Sequence, residues 1–194
     1  MKYFFACVLS LVAWSGFAQT PSSSVGERSY WDLETGLLAK VGGDTPHDYL
    51  LVPTSLSWRS GEVFGWTFNG GSRVLVRNRL TLIAQYYVEG PETFYGGISG
   101  SPSLEWWDAS GRFSVYAGVG GGFGWLDHQE DVVGAMGQSF TLNWFGKAGV
   151  SLEVAQNLEL RLGVLFQHMS NGGMTEVNPG LDSLGGTVGV SWRF

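Results

Sequence analysis

Hydrophobic and polar residues alternate along most of this chain, in segments long enough to cross a membrane as strands, which takes about 9–11 residues each. From Tyr30 to Val41, one parity carries Trp31, Leu33, Thr35, Leu37, Ala39 and Val41, and the other carries Tyr30, Asp32, Glu34, Gly36, Leu38 and Lys40. Successive side chains of a strand point to opposite faces, so this segment predicts a strand with one apolar and one polar face. The same pattern predicts strands at Tyr49–Arg59, Arg73–Val88, Phe94–Trp107, Arg112–Trp125, Ser139–Val154, Leu158–Ser170 and Leu181–Phe194. Phe94–Trp107 is the least regular of them. Residues 60–72 are ambiguous: Val63-Phe64-Gly65-Trp66 either extends the second strand or forms a turn.

The third segment decides which face is wet. Its apolar parity holds Val74, Val76, Leu80, Leu82, Ala84, Tyr86 and Val88, while Arg73, Arg77, Arg79, Thr81 and Gln85 share the other. An arginine on a lipid face costs about 2–4 kcal/mol at mid-membrane, so these belong in a lumen, with Asp32, Glu34 and Glu153 as candidate partners. In the fifth segment, Phe113, Val115, Ala117, Val119, Phe123 and Trp125 alternate with Gly118, Gly120, Gly122 and Gly124. Inward glycines leave room for large lumenal side chains in a narrow barrel. A glycine-rich nucleotide loop would need a helix after the glycines, and none is predicted.

Composition agrees. The 194 residues include 30 Gly, 9 Trp, 7 Tyr and 12 Phe, with only 14% charged. A soluble sandwich shares the alternation. The aromatic load, an export signal and the C-terminus together favour an all-β, eight-stranded antiparallel transmembrane β-barrel of the bacterial outer membrane. The signal is Lys2, then the mostly apolar Tyr3–Gly16, then Gly16-Phe17-Ala18, which predicts cleavage after Ala18 and one barrel domain at residues 19–194. Cleavage removes Cys7, the only cysteine, and with it any disulfide or thiol chemistry. With Lys2 gone, ten basic residues face seventeen acidic ones, a net charge of −7 that disfavours nucleic acid as a partner. Ser22–Arg28 reads as a flexible leader. The terminal Val188-Gly189-Val190-Ser191-Trp192-Arg193-Phe194 resembles the signal read by outer-membrane assembly machinery, making Phe194 the contact for that partner. The sequence leaves oligomeric state open, a homodimer included.

An even-stranded barrel keeps both termini in the periplasm, beside its short turns. Residues 108–111 and 155–157 then face the periplasm, and the longer stretches 127–137 and 171–180 face outward.

The one dense polar cluster near a strand end is Gln167-His168-Met169-Ser170-Asn171-Gly172-Gly173, followed by Asn178-Pro179-Gly180-Leu181-Asp182. His168 and Ser170 continue the apolar row Leu158, Leu160, Leu162, Val164 and Phe166, opposite Glu159, Arg161 and Gln167. Asp182 shares parity with Leu184, Val188, Val190, Trp192 and Phe194. Three reactive groups therefore converge on the outer surface, where headgroups meet acyl chains. Residues two apart on a strand face sit about 6.5–7 Å apart at Cα, close enough for His168 to act on Ser170 as general base while Asp182 orients the imidazole. Asn171, Asn178 or the amides of Gly172 and Gly173 are candidates for an oxyanion site. Interfacial polar residues without catalytic function would give the same types.

His168-Met169-Ser170-Asn171-Gly172-Gly173 with Asn178-Pro179-Gly180-Leu181-Asp182 resembles the active-site signature of the lipid A 3-O-deacylase family, with weaker similarity upstream through Val115–Gly124. That resemblance implies an eight-stranded barrel whose Ser–His–acid site faces the outer leaflet. It implies hydrolysis of the ester-linked 3-hydroxyacyl chain at the 3-position of lipid A within lipopolysaccharide, with no metal or other cofactor. By position, Ser170 matches the nucleophile, His168 the base and Asp182 the acid, with Asn171 and Asn178 the motif's asparagines. The best-known members carry Glu where this chain has Asp182. A non-catalytic structural or adhesive barrel and an acyltransferase are the competing readings.

Two other groups carry candidate chemistry. His47 and His128 fall in surface loops, His128 beside Asp127, Glu130 and Asp131. Oxygen ligands there suit Ca²⁺ or Mg²⁺, against the simpler reading of a solvated acidic loop. Trp106, Trp107, Trp125 and Trp144 read as interface anchors.

Overall fold

The computed structural model describes residues 25–194. The expected signal sequence at 1–18, Cys7 and the first part of the leader lie outside the described residues. The described chain is a closed barrel of eight antiparallel strands, each paired with its sequence neighbours and β1 with β8. They are β1 (Tyr30–Gly42), β2 (Leu50–Thr67), β3 (Arg73–Glu89), β4 (Phe94–Trp107), β5 (Phe113–Leu126), β6 (Phe140–Ala155), β7 (Leu158–Ser170) and β8 (Leu181–Arg193). Three turns (68–72, 108–112 and 156–157) close one end, beside both termini of the described chain. The loops 43–49, 90–93, 127–139 and 171–180 crown the other.

The expected alternation holds around the wall. Leu33, Leu37, Leu82, Val119, Leu162 and Val188 are exposed on the outside, while Asp32, Arg59, Arg77, Glu105 and Ser191 are fully buried inside. The stretch 60–67 resolves the ambiguity of the sequence by extending β2. Its register against β3 shifts between Arg59, Glu62 and Phe64, so the alternation is broken by bulges rather than by a turn.

The lumen is layered. At the turn end, Val25, Tyr30, Leu75 and Trp107 form an apolar plug. At the loop end, Leu38, Tyr49, Leu51, Tyr87, Tyr95, Leu126, Met136, Met169 and Leu181 form another. Between them lies an ion-pair network. Arg59 binds Asp32 (3.3 Å), Glu105 (3.0 Å) and Glu159 (3.1 Å), and Arg77 shares Glu105 at 2.9 Å. Arg79 pairs with Asp32 at 2.9 Å, while Lys147 and Arg161 converge on Glu34.

Three expectations need correcting here. Of the partners expected for the β3 arginines, Asp32 and Glu34 take Arg79, but Glu153 pairs with Arg28, Arg73 with Glu62, and Arg77 with Glu105. Residues 25–28 are not a loose leader: Val25 and Arg28 are buried, and their carbonyls accept hydrogen bonds from the Arg77 guanidinium at 2.6 Å each. Trp107 points inward, donating its indole N–H to Glu105 at 3.0 Å, because it shares parity with Glu105 and not with its neighbour Trp106.

The glycine row of β5 is needed for space. A Cβ at Gly122 would stand 2.0 Å from the Ile98 carbonyl oxygen and 2.6 Å from Ser99 Cα, both backbone atoms of β4. A Cβ at Gly146, on the outer wall, meets nothing within 4 Å. Gly122→Val is therefore expected to yield no heat-modifiable folded band, whereas Gly146→Val folds; gel mobility with and without boiling checks both.

Candidate active site

The loop ends of β6, β7 and β8 carry the cluster. Backbone pairing sets His168 of β7 directly opposite Asp182 of β8 on one side and Trp144 of β6 on the other. All three lie on the outer wall, in rows with exposed Leu142, Leu162 and Leu184. His168 Nδ1 and Asp182 Oδ1 are 2.6 Å apart, each side chain about one-third exposed. The bond is short because the pairing is direct, so the shorter acid spans the gap. The carboxylate orients the ring by holding Nδ1, which leaves Nε2 turned to the acceptor role.

Backbone features around Asp182 make that reach possible. The register of β1 against β8 slips between Lys40 and Gly42, and Gly42 faces Asp182. A Cβ at Gly42 would stand 2.8 Å from Asp182 Oδ2, so any larger residue would displace the carboxylate from the histidine. Gly180 turns the chain into β8 with φ of 62°, a left-handed conformation that glycine adopts without strain.

Ser170 lies two residues along the row from His168, opposite Leu142 of β6. No hydrogen bond joins it to His168; the structure brings His168 and Asp182 together and leaves the Ser170 hydroxyl outside that pair. Nucleophile–base contacts are commonly loose without substrate.

The loop 171–180 engages most of the expected oxyanion donors. The Asn171 side chain is buried, and its Nδ2 donates to Thr175 Oγ1 (2.6 Å) and the Val177 carbonyl (2.8 Å). Its Oδ1 accepts the Gly173 N–H at 2.9 Å. Asn178 Oδ1 accepts the Asn171 N–H at 2.9 Å, which leaves the Asn178 side-chain N–H groups and the Gly172 amide as the donors of this set without a partner among the described residues. Asn171 and the Gly173 amide thus shape the loop beneath the strand ends.

In the loops, Asp127, His128 and His47 each have partners of their own. Asp127 accepts hydrogen bonds from the Thr93 and Phe94 amides at 2.9 Å and from the Thr93 hydroxyl. Partial burial pushes its carboxyl up, but these hydrogen bonds outweigh it and hold the group below the usual carboxylate range. His128 Nδ1 contacts Ser139 Oγ at 2.7 Å with Nε2 3.4 Å from Glu130, and His47 Nε2 meets the Val133 carbonyl at 2.9 Å. Asp127 and His128 therefore face different partners. Trp106, Trp125 and Trp144 are exposed on the outer wall, and Trp144 also stacks on His168, with ring centroids 5.7 Å apart at 28°. The sequence placed Trp144 outward; only strand register reveals its neighbour.

An eight-stranded barrel with an apolar outer belt, a charged lumen and a histidine–carboxylate pair on its outer wall defines an outer-membrane protein of Gram-negative bacteria. Its fold is similar to that of the outer membrane enzyme PagL in its crystal structure (TM-score 0.57, 18% identity, covering 81% of this chain and 97% of that one). It is similar also to Neisserial surface protein A (TM-score 0.54, 14% identity, covering 86% and 97%). No curated protein matches the chain in sequence. The family model for lipid A 3-O-deacylase (PagL) matches residues 54–191, and the chain belongs to that family.

Proposed function

We propose that this chain hydrolyses the ester that links a 3-hydroxyacyl chain to the 3-position of lipid A, using Ser170, His168 and Asp182 at the lipid-facing outer wall. The single observation that carries this is the 2.6 Å contact between His168 Nδ1 and Asp182 Oδ1, on outward rows, in a chain of the lipid A deacylase family. In this reading Ser170 Oγ attacks the acyl carbonyl as its proton passes to His168 Nε2. The sugar–oxygen bond to the acyl carbon then breaks, and the imidazolium returns the proton to the sugar oxygen. Water, deprotonated by His168, cleaves the acyl-serine and releases the free hydroxy fatty acid. The Asn178 side-chain amide and the Gly172 N–H are the donors left for the oxyanion, since Asn171 and the Gly173 amide are engaged in the loop.

The test is the lipid A mass spectrum of cells expressing the protein. Loss of one hydroxyacyl chain supports hydrolysis, a gained chain indicates transfer, and an unchanged spectrum sinks the catalytic reading. Ser170→Ala is expected to restore the parent lipid A mass while the heat-modifiable barrel persists. Full activity in that variant would remove Ser170 from the mechanism.

A further inference from the structure

The geometry points to Trp144 as a positioning residue for His168: a ring that sets the plane of the catalytic imidazole and steadies its charged form. This rests on the Ser170–His168–Asp182 reading above. His168 is gripped from both neighbouring strands, by the Asp182 carboxylate at the ring edge and by the Trp144 indole across its face. A single hydrogen bond leaves the imidazole free to roll about the bonded nitrogen. A stacked ring removes that freedom, and with it the misalignment of Nε2 from Ser170. The indole is itself held, packing on Phe166, the next outward residue of β7, at 5.1 Å.

The second consequence is electrostatic. Taking the Ser170 proton turns His168 into a cation 5.7 Å from the indole centroid, within range for attraction to the negative face of the ring. The other outward tryptophans lack this contact. Trp125 packs on Phe123 and Phe140, and Trp106 on Phe113. An anchoring function explains those two; the placement of Trp144 against the histidine needs a further reason.

The test uses purified, folded barrel, with lipid A as substrate and a fluorophosphonate as a probe of serine reactivity. Trp144→Leu is expected to lower kcat about tenfold, the factor that a ring–cation contact of this kind supports, with KM within about twofold. Fluorophosphonate labelling slows in parallel. Trp144→Phe restores most of the rate, and Trp125→Leu, equally exposed on the same rim, changes neither reading. Unchanged kcat in Trp144→Leu, a loss confined to KM, or an equal loss in Trp125→Leu would overturn the assignment. If Trp144→Leu does not fold, Trp144→Met takes its place. A Ser170→Ala barrel that keeps its activity would instead overturn the underlying triad, so the two failures are distinguishable.

Discussion

Asp182→Asn is expected to cut turnover by a factor on the order of 10³–10⁴ without unfolding the barrel, the scale on which Ser–His–acid sites respond to this change. The carboxylate accepts from His168 Nδ1 at 2.6 Å, which keeps the proton on Nδ1 and the lone pair on Nε2. An amide presents an N–H to that nitrogen as readily as a carbonyl. When it does, the imidazole moves its proton to Nε2, the atom that receives the Ser170 proton in the proposed mechanism. The loss should fall on kcat, because Asp182 holds the histidine rather than the lipid. Asp182→Glu is a milder change, expected to cost about tenfold. The strands already place the acid at bonding distance, so an added methylene overshoots and must fold back toward Gly42, which offers no side chain to support it. A fully active Asp182→Asn variant would mean that something other than this carboxylate orients the ring.

Much of this architecture was legible because period-two alternation records which way each side chain points. Parity alone put His168, Ser170 and Asp182 on the outer wall and Arg77 and Arg79 in the lumen, and strand order made β7 and β8 neighbours. What parity omits is register. That His168 faces Asp182 and Trp144, and that Gly42 backs the carboxylate, depends on which residues pair across strands, a property of the closed sheet. Bulges hide in the same way: Ser60-Gly61-Glu62 interrupt the alternation of β2 while the strand continues to Thr67. The folding-in of Val25 and Arg28 could not be read from side chains, because their backbone carbonyls make the bonds to Arg77. Asn171 looked like a free donor since its type suits an oxyanion site, yet the loop beside it consumes each of its polar atoms.

The layered lumen keeps the buried charges between two apolar clusters. Apolar clusters lie toward both ends, and the charges between them are paired: Arg59 and Arg79 with Asp32, Arg59 and Arg77 with Glu105, and Lys147 and Arg161 with Glu34. These ion pairs tie β1, β2, β3, β4, β6 and β7 together across the lumen.

The strength of that interior yields the other large effect. Arg59→Leu is expected to destabilise the folded barrel by about 3–5 kcal/mol, the usual cost of removing one partner from a buried ion pair. Arg59 is fully buried, stacks over Tyr30 with its guanidinium 3.9 Å from the ring, and bonds three carboxylates. Those carboxylates are not equally dependent on it. Glu105 keeps Arg77 at 2.9 Å and the Trp107 indole, and Asp32 keeps Arg79 at 2.9 Å. Glu159 keeps the neutral Ser151 hydroxyl at 2.7 Å, so the variant leaves that buried carboxylate the least compensated of the three among the described residues. Adding Glu159→Gln to Arg59→Leu should therefore recover a measurable share of the lost stability, although each change alone weakens the barrel. Unfolding temperatures in detergent, read from the heat-modifiable band, test both parts. Simple additivity of the two losses would show that the orphaned charge is not what makes Arg59 indispensable.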